Sequence, residues 1–141
     1  MKAALKHSLV MAGLMVASTS AFAETFTAKI DFPFRAGSTV YPAAEYELQV
    51  ITQSGGAPIV RISNPNTNVS RLLMPMPTDT YGKAGESTLV FNCTGGADCS
   101  LAQVWSPRGL RWSFHQPKST SADLERMAVV TVPLQIARTR K

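Results

Sequence analysis

Hydrophobic residues in this chain recur mostly at every second position, the period of a half-buried β-strand. Phe26, Ala28, Ile30, Phe32 and Phe34 alternate with Thr27, Lys29, Asp31 and Pro33, which predicts a first strand. Pro33 has no N–H to give to a ladder, so this strand should end at an edge or a bulge. Residues 35–44, with Gly37, Pro42 and several small side chains, read as a loop. Tyr46, Leu48 and Val50 then alternate with Glu45, Glu47 and Gln49, a second strand with one wet face. Ser54-Gly55-Gly56 marks a turn and 58–62 a third short strand. Asn64-Pro65-Asn66-Thr67-Asn68 reads as a further turn, because Asn tolerates left-handed backbone and Pro presets φ. A fourth strand over 69–76 is stopped by Pro75 and Pro77, and a polar loop with Gly82 and Gly85 follows.

The stretch 87–105, STLVFNCTGGADCSLAQVW, carries the clearest hairpin signal: two apolar runs joined by a Gly-Gly turn, with a cysteine on each arm. Setting Cys93 opposite Cys99 places Phe91 against Leu101, Leu89 against Gln103 and Ser87 against Trp105. Asn92 with Ser100, Val90 with Ala102 and Thr88 with Val104 then share the other face. The cysteine face holds the larger apolar groups and is expected to be the core side. An opposed antiparallel pair lies within disulfide reach. Such a bond would hold the register of a turn that Gly95 and Gly96 leave loose. The alternative is a redox or metal-binding pair. C-x5-C is not a redox spacing, however, and neither flank supplies a His or a further Cys as a ligand.

Another strand is predicted around 110–114. Thr120 and Asp123 have the spacing of a capping box, and 122–128 suits a helical turn or two. Val129, Val130, Val132, Leu134 and Ile136 return to a β pattern over 127–136, held to an edge position by Pro133. Seven or eight short strands with frequent turns predict an all-β fold, a small antiparallel sandwich or barrel, with one short helical turn near the C-terminus.

The first residues read as an address. Lys2 and Lys6 form a basic region, 9–16 a short apolar core, and Ala21-Phe22-Ala23 an A-x-A cleavage site. The expected organisation is a signal peptide over 1–23, a single β domain over 24–137 and a basic C-terminal tail over 138–141. The alternative is a retained N-terminal anchor helix, but the apolar run is too short to span a bilayer. No Cys follows the cleavage site to take a lipid. Export to the periplasm or beyond also suits the cysteines, since disulfides persist in oxidising compartments. Losing Lys2 and Lys6 lowers the formal net charge from +5 to +3, with the basic groups scattered except at Arg138-Thr139-Arg140-Lys141. That tail reads as a solvated terminus, or as a contact for anionic envelope polymer or lipid. Nucleic-acid binding is not expected without a basic stripe. Nor is an outer-membrane barrel, because the strands are short and several are interrupted by Pro.

Candidate chemistry is sparse. His115 is the sole histidine beyond the signal, and no G-x-S-x-G frames a nucleophile. Glu45 and Glu47 could be imagined as a glycosidase pair, but alternating charge on a wet strand face is the simpler reading. Met74 and Met76 with His115 suggest soft-metal ligation, against which stands methionine as core filler. Asn68-Val69-Ser70 and Asn92-Cys93-Thr94 match the glycosylation sequon, read as chance beside a bacterial-type signal. Trp105, Trp112 and Phe114 fall on neighbouring strands, with Tyr81 in a preceding loop and Arg108 and Arg111 beside them. Exposed, these would form a stacking platform for sugars or a partner chain; buried, the rings build core.

Three groups of residues carry a likeness. FPFRAGSTVYPAAEYELQV over 32–50 contains Phe32-Pro33-Phe34, then Gly37, then Val40-Tyr41-Pro42-Ala43-Ala44-Glu45-Tyr46. LVF and LAQVW flank the central turn, and Pro117-Lys118-Ser119 and Glu125-Arg126 follow. Together these resemble a family of small, exported, uncharacterised bacterial all-β proteins whose pattern is P-F-x-F, a Gly, then L-P-A-G-x-Y, a central hairpin and a closing P-x-S…E-R segment. The chain departs from it at Ala44, where Gly is usual, in the two cysteines, and in the β-like basic end. The resemblance implies an exported all-β fold and transfers no functional residue. The aromatic groups of the motif are expected to pack together across the first two strands.

The sequence therefore reads as an exported, non-catalytic binding or structural module of the bacterial cell envelope, needing no metal or cofactor. Its partner would be an envelope polymer, or a protein pairing with an edge strand such as 128–136. The alternative is a small-ligand or carbohydrate-binding β-barrel using the aromatic cluster. An enzyme is the least supported reading, because no nucleophile, base and orienting group are seen together.

Overall fold

A computed structural model describes residues 23–51, 58–76, 87–95, 98–107 and 109–137. These residues form an all-β sandwich of eleven strands with one short helix. The strands are β1 (Ala23–Ile30), β2 (Phe34–Ala36), β3 (Thr39–Tyr41), β4 (Ala44–Ile51), β5 (Ile59–Asn64) and β6 (Val69–Leu73). They continue as β7 (Thr88–Thr94), β8 (Asp98–Trp105), β9 (Arg111–Ser113), β10 (Met127–Pro133) and β11 (Gln135–Ile136), with α1 (Ser121–Glu125) between β9 and β10. One sheet has the order β11-β1-β4-β5-β6. The other runs β10-β7-β8-β2-β3, with β9 also on β8. The strands beyond the seven or eight expected are short pieces made where a predicted strand or loop changes sheets.

Pro33 marks such a place. The first strand pairs with β4 as far as Ile30↔Ala44, then stops. Past Pro33 the chain enters the opposite sheet, where β2 lies parallel to β8 (Phe34↔Cys99, Arg35↔Ser100) and hairpins with β3 through Gly37 at φ +62°. Residues 35–44, expected as a loop, are therefore largely strand. Only a residue without a Cβ takes that positive φ freely, so the tight turn is available. The last predicted strand divides in the same way at Leu134, whose N–H donates to Ser87 O while β11 moves over to pair with β1. Pro133 closes β10 at the sheet edge, as expected from its missing N–H.

The hairpin of β7 and β8 keeps the expected register only near its turn. Cys93↔Cys99, Asn92↔Ser100 and Phe91↔Leu101 pair as predicted, and the cysteines are joined. Between Val90 and Phe91 the ladder shifts, leaving Ala102 as the extra residue of a bulge. Beyond it Val90 faces Gln103, Leu89 faces Val104 and Thr88 faces Trp105, one residue away from the even alternation. The slip has a cause in burial: it turns Val104, fully buried, inward and Gln103 and Trp105 outward.

The core lies between the sheets. One inward row runs Cys93–Cys99–Phe34–Tyr41 across four strands, so the disulfide sits in the core-facing layer. Phe34 is the hub of an aromatic cluster: it stacks on Tyr41 and meets Tyr46 and Phe91 edge-on, with ring centroids 5.1–5.3 Å apart. Each such pair adds roughly 0.5–1.5 kcal/mol beyond area burial. Tyr46 also donates its hydroxyl to Pro42 O, which ties the start of β4 to the preceding corner. The aromatic residues of the 32–50 segment thus do pack together, across the two sheets rather than along one. The 64–68 turn forms as predicted, with Asn68 at φ +56° and Asn64 Oδ1 accepting from Asn66 N. The capping box is present too: Thr120 caps α1 and exchanges hydrogen bonds with Asp123. The helix is shorter than 122–128, because β10 begins at Met127.

Among the described residues no helix is long and apolar enough to cross a membrane. The Cys93–Cys99 disulfide points to an oxidising, non-cytoplasmic setting. The turn at 54–56, the loop over 78–86, Gly96, most of the 1–23 segment and the 138–141 tail lie outside the described residues.

Candidate functional site

Among the described residues, the aromatic side chains singled out in the sequence do not come together as one surface. Trp112 and Phe114 face inward from β9 and its continuation and are buried at 8% and 7% exposure. They belong to the core, so of the two readings the sequence offered the buried one holds for them and the platform does not. Tyr81 and Arg108 lie outside the described residues. Trp105 and Arg111 do meet on the outer face. They are cross-strand partners in β8 and β9, and the guanidinium carbon of Arg111 sits 5.3 Å from the Trp105 ring centroid. The connection that sets this pairing is short: Ser106 N donates to Leu110 O, Leu110 N to Ser106 Oγ, and Gly109 takes φ +81°. The Trp105 indole N–H donates to Gln103 Oε1 at 3.0 Å.

The other sequence candidates disperse. His115 is exposed, and Glu45 and Glu47 lie on β4 opposite Lys29 and Thr27. Met74 is 69% exposed, so it is not core filler; Met76 is half-buried and bridges to Ser113. Among the described residues no three His, Cys, Asp or Glu side chains cluster as a metal site.

A concave feature of the described surface lies elsewhere, on the outer face of the β10-β7-β8-β2-β3 sheet. Register places Val129, Asn92, Ser100, Arg35 and Val40 side by side as one outward row across five strands. Met127, Thr94 and Asp98 form the next row toward the hairpin turn. After Phe114 the chain doubles back over this face. Gln116 fastens it there: its side-chain N–H donates to Leu101 O at 2.9 Å and to Phe114 O at 3.2 Å, and its Oε1 accepts from Asn92 at 3.5 Å. The resulting strap carries Pro117, Lys118 and Ser119 along one side before the capping box turns it into α1. Between strap and strands lies a cleft of about 490 Å³, floored by Asn92 and Ser100 and walled by Arg35, Val40, Lys118 and Met127.

The groups at this cleft offer charge and hydrogen bonds. Arg35 and Lys118 offer positive charge, Asp98 a carboxylate at the turn end, and Asn92 and Ser100 neutral donors and acceptors. The carboxylate of Asp123 is held below its ordinary range by hydrogen bonds from the Thr120 backbone and hydroxyl. No residue of the cleft was singled out from the sequence as ligand-binding. The pairing of Asn92 with Ser100 on one outward face was the available signal. Arg35 was hidden in an apparent loop, and Lys118 reaches the cleft only because the strap folds back.

No protein-family model, no curated protein and no solved structure matches this chain.

Proposed function

We propose that this chain is an exported, non-catalytic binding module of the bacterial cell envelope, periplasmic or secreted, that holds its ligand in the cleft on the outer sheet face. The cleft carries the reading. Its volume, about 490 Å³, falls in the roughly 300–1,000 Å³ range of small-ligand sites. Its polar groups converge from β2, β7, β8 and the strap, each on a rigid, hydrogen-bonded element. They supply charge and hydrogen bonds without a nucleophile–base pair. Export is supported by the basic-apolar-A-x-A start and by the disulfide, and by the likeness to the exported all-β family.

The test is a heteronuclear NMR screen of the oxidised protein with free amino acids, short peptides and small sugars. Shifts clustered on Asn92, Ser100 and the Gln116 side-chain amide support the reading. Ligands that move only residues elsewhere, or that are consumed, overturn it.

A second reading has an observation of its own. The Trp105–Arg111 pair is an aromatic group held on the outer face, the kind of surface that stacks on a sugar ring. Sugar-induced changes in Trp105 fluorescence would favour it over the cleft.

A further inference from the structure

The cleft's charges are arranged for a ligand with both signs. Arg35 and Lys118 line it, yet neither forms an ion pair with Asp98 or Asp123 among the described residues. Asp123 is engaged by Thr120. Asp98 takes part through its backbone carbonyl, which accepts from Thr94, and its carboxylate is left to the cleft. Arg35 sits beside Ser100, one strand away from Asp98 and two residues along it. At the backbone that is a separation of roughly 8 Å, the span of about two to three extended residues.

The neutral groups favour an amide-rich ligand. Asn92 and Ser100 present a donor and acceptors at the floor, the complement of a peptide N–H and C=O. Val40, 61% exposed, and Met127 give small apolar contacts suited to side chains. A sugar would want an aromatic face, and the one ring that reaches the lining, Phe34, is 2% exposed and packed into the inner cluster.

We propose that the cleft binds a short zwitterionic peptide, its terminal carboxylate held by Arg35 and Lys118 and its terminal ammonium by Asp98. This rests on the cleft being the ligand site. The carboxylate can take two parallel hydrogen bonds from the Arg35 fork while Lys118 adds a point charge.

The experiment is titration of the oxidised protein, expressed from its full sequence, with tri-alanine, with tri-alanine amide and with N-acetyl-tri-alanine, followed by NMR. Tri-alanine is expected to shift Asn92, Ser100 and Gln116. Either blocking group is expected to weaken binding about tenfold or more, the loss of one charge-assisted contact. In Arg35→Ala the preference for acid over amide should shrink to what Lys118 alone supplies, and in Asp98→Asn acetylation should no longer matter. Both positions are exposed, and retained spectral dispersion shows that the variants fold. Equal binding of acid and amide by the wild type overturns the proposal. If a neutral disaccharide shifts the cleft and tri-alanine does not, the peptide assignment falls and the cleft remains the site. If neither moves the cleft, both readings fall.

Discussion

Tyr41 and Tyr46 meet edge-on with ring centroids 5.9 Å apart, yet only the Tyr46 hydroxyl has a hydrogen-bond acceptor, Pro42 O; the buried Tyr41 hydroxyl has none among the described residues. Two neighbouring phenols thus carry opposite balances. Removing the Tyr46 hydroxyl loses a hydrogen bond, so Tyr46→Phe should cost about 1 kcal/mol. Removing the Tyr41 hydroxyl relieves an unpaired buried group, so Tyr41→Phe should be neutral or stabilising by up to about 1 kcal/mol. Urea unfolding of the two variants checks the contrast, and equal losses would contradict it.

The same pair sets the alkaline limit of stability. Burial raises both phenols above the ordinary value of 10.0; the nearby Arg71 opposes this at Tyr41, and Tyr41 adds to it at Tyr46. A raised folded pKa means the unfolded chain releases its proton first as pH climbs. Stability is therefore complete below pH 10 and falls as pH rises through the folded values. Tyr41→Phe should flatten that decline, measured as unfolding midpoint against pH from neutrality upward.

The cysteine row predicts a redox-sensitive fold. The disulfide closes a short loop with Cα atoms 4.0 Å apart. The chain-entropy model assigns such a loop about 2–2.5 kcal/mol. The Cys93→Ala/Cys99→Ala double variant should lose about that much, plus a contribution from thinning the inner row beside Phe34. Denaturant midpoints of the oxidised protein and the double variant test it. A difference near zero would mean the bulged ladder alone holds the register.

The two tryptophans should respond oppositely to acrylamide. Trp105 is half-buried on the outer face and Trp112 is 8% exposed. Quenching should survive in Trp112→Phe, which retains Trp105, and be largely lost in Trp105→Phe. Trp112→Ala should further cost roughly 3–5 kcal/mol, the cost of an emptied core site.

The capping box predicts an acid effect at the strap. Hydrogen bonds from Thr120 lower the Asp123 carboxyl, so its contribution is present above the ordinary carboxylate range and lost as pH falls through the lowered folded value. Thr120→Ala should return the Asp123 titration toward 3.8, its ordinary value, and fray α1, both visible in an NMR pH titration.

Much of this was legible in the residues, and the exceptions have local causes. The alternation at Tyr46, Leu48 and Val50 reports a buried face directly, because a strand's two faces are set by sequence parity alone. The Asn64 turn, the Thr120 cap and the Cys93–Cys99 pairing are short-range, each resting on side chains a few residues apart. The hairpin register failed beyond Phe91 because a bulge costs one residue of parity, and only packing of Val104 against the opposite sheet selects it. Trp112 and Phe114 were ambiguous for a related reason: a short strand gives too few positions for its pattern to say which face is covered.

By itself, the sequence determined most of the elements: which stretches outside 35–44 are strands, where they turn, where a helix is capped and which cysteines can meet. Those choices depend on dihedral preference and on polarity within a few residues. The tertiary structure decided everything that depends on strand order. It sent the chain across to the second sheet at Pro33, set Phe34 between Cys99 and Tyr41, and brought Arg35, Asn92, Ser100 and Lys118 to one cleft. No local signal encodes that meeting, because it follows from long-range pairings chosen by the burial of the opposite face. Arg35, Asn92, Ser100 and Lys118 lie on the outer side of the sheet and were left for the cleft when the core was filled.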